Sequence, residues 1–136
     1  MTELDPKVQM PMFEVATQGI ESFVSDLGGF APFALATLND GQIQILETSG
    51  EFADIESAQA ALVAHLCALH AHDQIIGCLL CVPLEVPSAQ LQAAAIMEIE
   101  AAGCAPVRAI RQIAHASGIA TLADTVEFMR GAARVF

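Results

Sequence analysis

Between His65 and Cys81 the chain gathers three of its four histidines and three of its four cysteines, in the run HLCALHAHDQIIGCLLC. Imidazole and thiolate are the groups that bind zinc and iron and that carry thiol redox chemistry. A converging set here would make a metal or disulfide-exchange centre. Whether the side chains converge depends on the elements that carry them.

The stretch from Asp54 to about His72 reads as a helix, with Asp54 as its cap and Ile55, Leu62, Leu66 and Leu69 as its apolar stripe. At about 100° per residue, His65 and His72 fall on one flank of a stripe centred on Leu62, and His70 falls on the other. Two turns also separate His65 from His72, about 10.5 Å along the axis. Only Cys67 and His70, at i and i+3, keep a spacing that suits a shared ion. Cys78 and Cys81 lie in IIGCLLCVPL, residues 75–84, which is apolar at both parities, as a strand covered on both faces is. An odd separation on a strand sends the two thiols to opposite faces, which precludes a joint chelate or a disulfide between them. The metal reading thus narrows to a sensor or metalloenzyme using Cys67 and His70 with Cys78 or Cys81.

The same residues have structural uses. Free cysteine packs as a small apolar side chain. His70 and His72 occupy a last helical turn, where imidazolium interacts favourably with the helix dipole. His65 suits a single hydrogen bond at the core's edge, and any of the three could sense pH. Glu98 and Glu100 share one strand face and read as an exposed acidic edge. No P-loop, dinucleotide fingerprint, nucleophile elbow or His-Glu-x-x-His occurs. The residues therefore assign no catalytic set, no cofactor site and no complete metal site.

Other elements follow from periodicity. Phe13, Ala16, Ile20, Phe23, Val24 and Leu27 recur at three and four between Met12 and Leu27, which predicts an amphipathic helix closed by Gly28-Gly29. Residues 33–38 and 42–47 flank Asn39-Asp40-Gly41 and predict a β-hairpin that buries Phe33, Leu35, Ile43 and Ile45, with Ser49-Gly50 closing it. Pro87-Ser88 marks a turn. Residues 88–102 are rich in helix formers, yet Leu91, Ala93, Ala95, Met97, Ile99 and Ala101 share one parity, and that alternation predicts a strand. Ala102-Gly103 turns it into a partner at about 105–113, and one or two further strands or a short helix complete the chain.

With 136 residues and no linker or repeat, the chain is the length of one domain, spanning 1–136. Its net charge of −11 disfavours phosphate backbones, so no nucleic-acid partner is expected. All four arginines, Arg108, Arg111, Arg130 and Arg134, lie late in the chain, where they either pair with acidic elements or form an anion site. No apolar run reaches a membrane span, and MTELDPK lacks the order of a signal peptide, so a cytoplasmic location and no membrane partner are expected. An apolar content of 54% with only 15% charged residues predicts surface buried against a second copy or another protein.

The order helix, GGFAPFALATLNDG, helix, GCLLCVPLEV, AAAIMEIEAAG and a late Arg-Val-Phe resembles a loosely defined group of small bacterial α+β proteins of unknown function. That resemblance implies two helices on one face of an antiparallel sheet, and it brings no catalytic residues. The expected fold is α+β, with two helices packed on one face of a mostly antiparallel sheet of five or six strands, in the order helix-strand-strand-helix-strand-strand-strand. The function expected is a non-enzymatic acidic protein-interaction or dimerisation module, in one form an inhibitor or immunity-type protein that neutralises a basic partner. The alternatives are the metal reading above and a small-ligand-binding domain with a pocket between helices and sheet.

Overall fold

A computed structural model describes residues 3–47, 54–86 and 91–136. Two helices and a mostly antiparallel sheet make an α+β fold, in the order α1 (Gln9–Leu27), β1 (Phe33–Leu38), β2 (Ile43–Glu47), α2 (Ile55–Ala71), β3 (Ile75–Val86), β4 (Leu91–Ala101), β5 (Val107–Ala116), β6 (Ile119–Leu122) and β7 (Glu127–Arg130). The sheet has seven strands in the order β2-β1-β3-β4-β5-β6, with β7 on the same edge of β5, so the C-terminal third adds one strand more than the five or six expected. The turns at Ser49-Gly50 and Pro87-Ser88 lie outside the described residues.

Local chemistry sets the boundaries. Helix α1 starts earlier than periodicity places it. Asp5 Oδ2 accepts the Val8 N–H at 2.8 Å, and Gln9 Nε2 donates to the Ala105 carbonyl at 3.0 Å, which ties the first turn to the β4–β5 connection. Its buried line is Met12, Ala16, Ile20 and Val24, an i+4 ridge, while Leu27 stays exposed. Gly28 ends it at φ 75°. Asp54 caps α2 by accepting the Ser57 N–H at 2.7 Å, and this bond holds the carboxyl below its ordinary value.

The two helices do not share a face. Helix α1 packs on Phe33, Leu35, Leu79, Cys81, Met97 and Ile99, whereas α2 packs on Ala34, Ala36, Cys78, Leu80 and Val82. These sets alternate along β1 and β3, and the register Leu35↔Leu79 and Ala36↔Cys78 keeps each on its own side. One helix on each face corrects the single-face expectation. The physical reason is visible in β3, whose both parities are apolar and so need cover on both sides. A smaller correction concerns the hairpin: Phe33 and Leu35 are buried, but Ile45 is 56% exposed, because β2 is the sheet's outer strand and lies beyond the principal contacts of either helix.

Gly77 shows how closely α1 approaches the sheet. A Cβ there would collide with Val8 Cγ1 and lie 3.1 Å from both the Glu100 carbonyl oxygen and Met12 Cε. We expect Gly77→Ala to destabilise the domain by about 1–3 kcal/mol, read as a lower urea midpoint at unchanged slope.

Candidate functional site

The polar centre of the molecule is on β4. Glu98 and Glu100 are only 6% and 4% exposed, which overturns their reading as an exposed acidic edge. β4 is hydrogen-bonded to β3 on one side and β5 on the other, so its side chains stand in the middle of the sheet. Both carboxylates point to the α2 side, and both are engaged.

Glu98 pairs with its cross-strand neighbour Arg108, whose Nε donates to Oε1 at 2.6 Å. The second oxygen of Glu98 is buried with no hydrogen-bond partner among the described residues. Gly131 lies against it, and a Cβ at that position would stand 3.2 Å from Oε2. Glu100 Oε1 accepts three consecutive main-chain N–H groups, from Arg134 at 3.1 Å, Val135 at 3.2 Å and Phe136 at 3.1 Å. A buried carboxylate requires such donors, because an unpaired charge in that position is strongly destabilising.

The segment so held lies against α2. The Cys67 thiol donates to the Arg134 carbonyl at 3.6 Å, and the His70 ring packs on Phe136 with centroids 4.2 Å apart. Cys78 stands directly across the ladder from Glu100. Burial first, then the Glu100 carboxylate and the Cys67 thiol, push the Cys78 thiol far above its ordinary value. Cys81 points to the opposite face and is also pushed up by burial. Thiols held neutral are poor nucleophiles and poor metal ligands.

The residues singled out by sequence are thus only partly assembled. Cys67, His70 and Cys78 share the α2 side, whereas Cys81 belongs to the α1 core. His65 is exposed on α2, and His72 is exposed at its C-cap, just past the last helical residue. His115 is elsewhere, with Nε2 2.7 Å from the Gln92 carbonyl. Among the described residues no three His, Cys, Asp or Glu side chains are grouped to hold an ion. Nor do Arg108 and Arg111 form an anion site, since strand parity puts them on opposite faces, and Arg111 bonds Glu21 at 3.0 Å.

Sequence reasoning missed the role of residues 134–136 and the burial of both glutamates. The available signal was the parity of Glu98 and Glu100, which matches Cys78 and Leu80 across the ladder in a strand predicted to be covered on both sides.

A cavity of about 210 Å³ opens at the end of α1, lined by Phe23, Leu27, Phe30, Pro32, Phe33 and Glu47. It lies between the C-terminal end of α1 and the adjoining ends of β1 and β2, and Glu47 is its one ionisable lining residue. No helix of the described residues is long and apolar enough to cross a membrane. Compared with protein-family models, with curated proteins and with solved structures, the chain matches none of them.

Proposed function

We propose that this chain is a non-enzymatic protein-interaction module of the cytoplasm, which associates with a second copy of itself through apolar surface on an otherwise acidic body. The observation that carries this reading is the far end of the β3–β4 hairpin, where Leu84, Val86 and Leu91 are 50%, 40% and 43% exposed. Val86 and Leu91 face each other across the ladder, and Leu84 shares their side by strand parity.

Element lengths explain why this surface is bare. The 17 residues of α2 span about 25 Å, while the 12 residues of β3 span about 40 Å. The helix therefore ends before the strand does. Three sizeable apolar side chains together on one surface mark an interaction site more often than a scattered exposed leucine does. The engagement of Glu98, Glu100, Cys67 and His70 in packing and hydrogen bonds supports the non-enzymatic part.

Light scattering over about a hundredfold dilution tests the reading, because mass action makes association concentration-dependent. We expect the molar mass to approach twice 14.3 kDa at the concentrated end and to fall on dilution. A mass of 14.3 kDa throughout would sink it.

A further inference from the structure

We propose that the second copy lies face to face on this one, sheet against sheet, about a two-fold axis that runs along the strands between β4 and β5. This inference rests on the self-association proposed above and names its interface. It starts from how little of the sheet α2 covers. The helix packs principally on β1 and β3, so among the described residues no helix lies over β4, β5 and β6 on that side. The segment held by Glu100 covers one end of β4, and the other end is bare. Leu84, Val86 and Leu91 are therefore one margin of a broader surface.

Strand register shows what else faces that way. Ala94 stands opposite Gln112 and Ile96 opposite Ile110, and Ala114 and Ala116 follow on the same side of β5 by parity. Ala114 pairs in turn with Thr121 and Ala116 with Ile119, which carries the surface on to β6. Gln112, Ala114, Ala116 and Thr121 are exposed, and Ile119 is 65% exposed. On β3 from Leu84, on β4 up to Ile96, on β5 from Ile110 and on β6, no described side chain on this side carries a charge, in a chain with 16 acidic residues.

Charge and relief both select a second copy as the occupant. Two bodies of net charge −11 repel each other, and this surface lets them meet with no carboxylate opposed to another. Glu127 borders it beside Ile110, and the two-fold carries the two copies of Glu127 to opposite margins. The relief is self-complementary. Large side chains stand on β3 and β4, and alanines stand on β5. Val86 and Leu91 lie two steps along the ladder from Leu84 and Ala94, and Ala114 lies two steps from Gln112, so Leu91 and Ala114 are at one level. A two-fold between β4 and β5 lays β4 of each copy over β5 of the other, and Leu91 of each then meets Ala114 of the other. An isologous contact requires such a surface, in which one patch holds both the projection and the depression. Facing sheets interdigitate in this way about 10 Å apart. The same axis lays the four-residue β6 over the end of β3 that α2 does not reach.

Size sets the strength. Four strands about 4.8 Å apart, each contributing roughly five residues, make a patch about 20 Å square, or about 400 Å² per copy. Interfaces below about 1,200 Å² in total are transient, so the dimer should dissociate on dilution.

Two charge substitutions test the arrangement. Leu91→Glu and Ala114→Lys each place an unpaired charge in the contact twice, and we expect each variant to dimerise about a hundredfold or more weakly than wild type. Mixing the two should recover a dimer, because the two-fold sets the new carboxylate against the new ammonium at one contact and leaves leucine on alanine at the other. A wild-type dimer that either variant leaves intact, or a mixture that stays as weak as its components, overturns the face-to-face contact while self-association stands. A wild type that remains one chain at every concentration overturns both and leaves the surface to a different protein. Should a variant not fold, hydroxyl-radical labelling of the wild type decides, with the exposed Ile45 as reference. Protection of Leu84, Val86 and Leu91 that rises with protein concentration supports the contact, and labelling that stays constant while the mass doubles refutes it.

Discussion

Replacing Glu100 with glutamine will loosen residues 134–136 while leaving the rest of the domain folded. In the native protein one carboxylate oxygen accepts three main-chain N–H groups in a nearly dry setting. Hydrogen bonds to an ionised group contribute about 1.5–3 kcal/mol each, roughly twice those to a neutral one. Three donors share one oxygen, so their effects do not sum. A loss of about 1.4–2.8 kcal/mol for the segment follows, equal to ten- to a hundredfold in local opening. The body is spared because detaching a short segment releases Val135, Phe136, the His70 contact and the Cys67 hydrogen bond to Arg134, all at the edge of the core. Hydrogen exchange of the Arg134, Val135 and Phe136 amides reads the effect, with the Leu62 and Leu66 amides of α2 as internal reference. Unchanged protection of the three would show that Glu100 does not hold them. Glu100→Leu extends the test: it removes a buried charge, which helps the core, and strands the same three donors, so the segment should detach completely.

Stability will fall steeply above about pH 9, and the two buried thiols will account for the slope. Cys78 and Cys81 both have folded pKa values raised above the ordinary 9.0, chiefly by burial. The sign follows from linkage. In the unfolded chain these thiols ionise near pH 9, whereas in the fold they stay protonated, so alkali stabilises the unfolded state alone. Their contribution is intact below pH 9 and declines as the pH rises through the window between the unfolded and folded values. Each thiol adds about 1.4 kcal/mol per pH unit, and the pair about 3 kcal/mol per unit. The background is low, because the chain has no tyrosine and its single lysine is Lys7. Urea midpoints from pH 8 upward check this, and Cys81→Ala should roughly halve the slope. A flat profile would mean that the thiols ionise in place.

Much of the architecture was legible because it rests on local patterns. The Asn39-Asp40-Gly41 turn, the Gly28 stop, the Asp54 cap and the alternation that makes 91–101 a strand are all short-range signals. The division of Cys78 from Cys81 followed from parity alone. The opposite placement of the helices was available too, in the two-sided apolar character of β3, yet it depends on strand order. The β4 carboxylates were misread for the same reason. Glu98 and Glu100 look exposed until the α2 side of β4 is known to be covered, and their partners are 10 and 34 to 36 residues away. The capture of residues 134–136 is such a long-range event. No local pattern in Arg134-Val135-Phe136 announces an acceptor on β4.

The concentration of histidine and cysteine between residues 65 and 81 thus divides into an exposed helix flank, two core faces and a cover for Glu100. The claim that this is packing rather than a metal centre is the foundation of the non-enzymatic reading. Elemental analysis of untagged protein, joined to thermal melts with and without a chelator, tests it most directly. No stoichiometric zinc or iron is expected, and the chelator should leave the melting temperature unchanged. One bound metal per chain, whose removal lowers the melting temperature, would contradict it and return Cys67, His70 and Cys78 to the role of ligands.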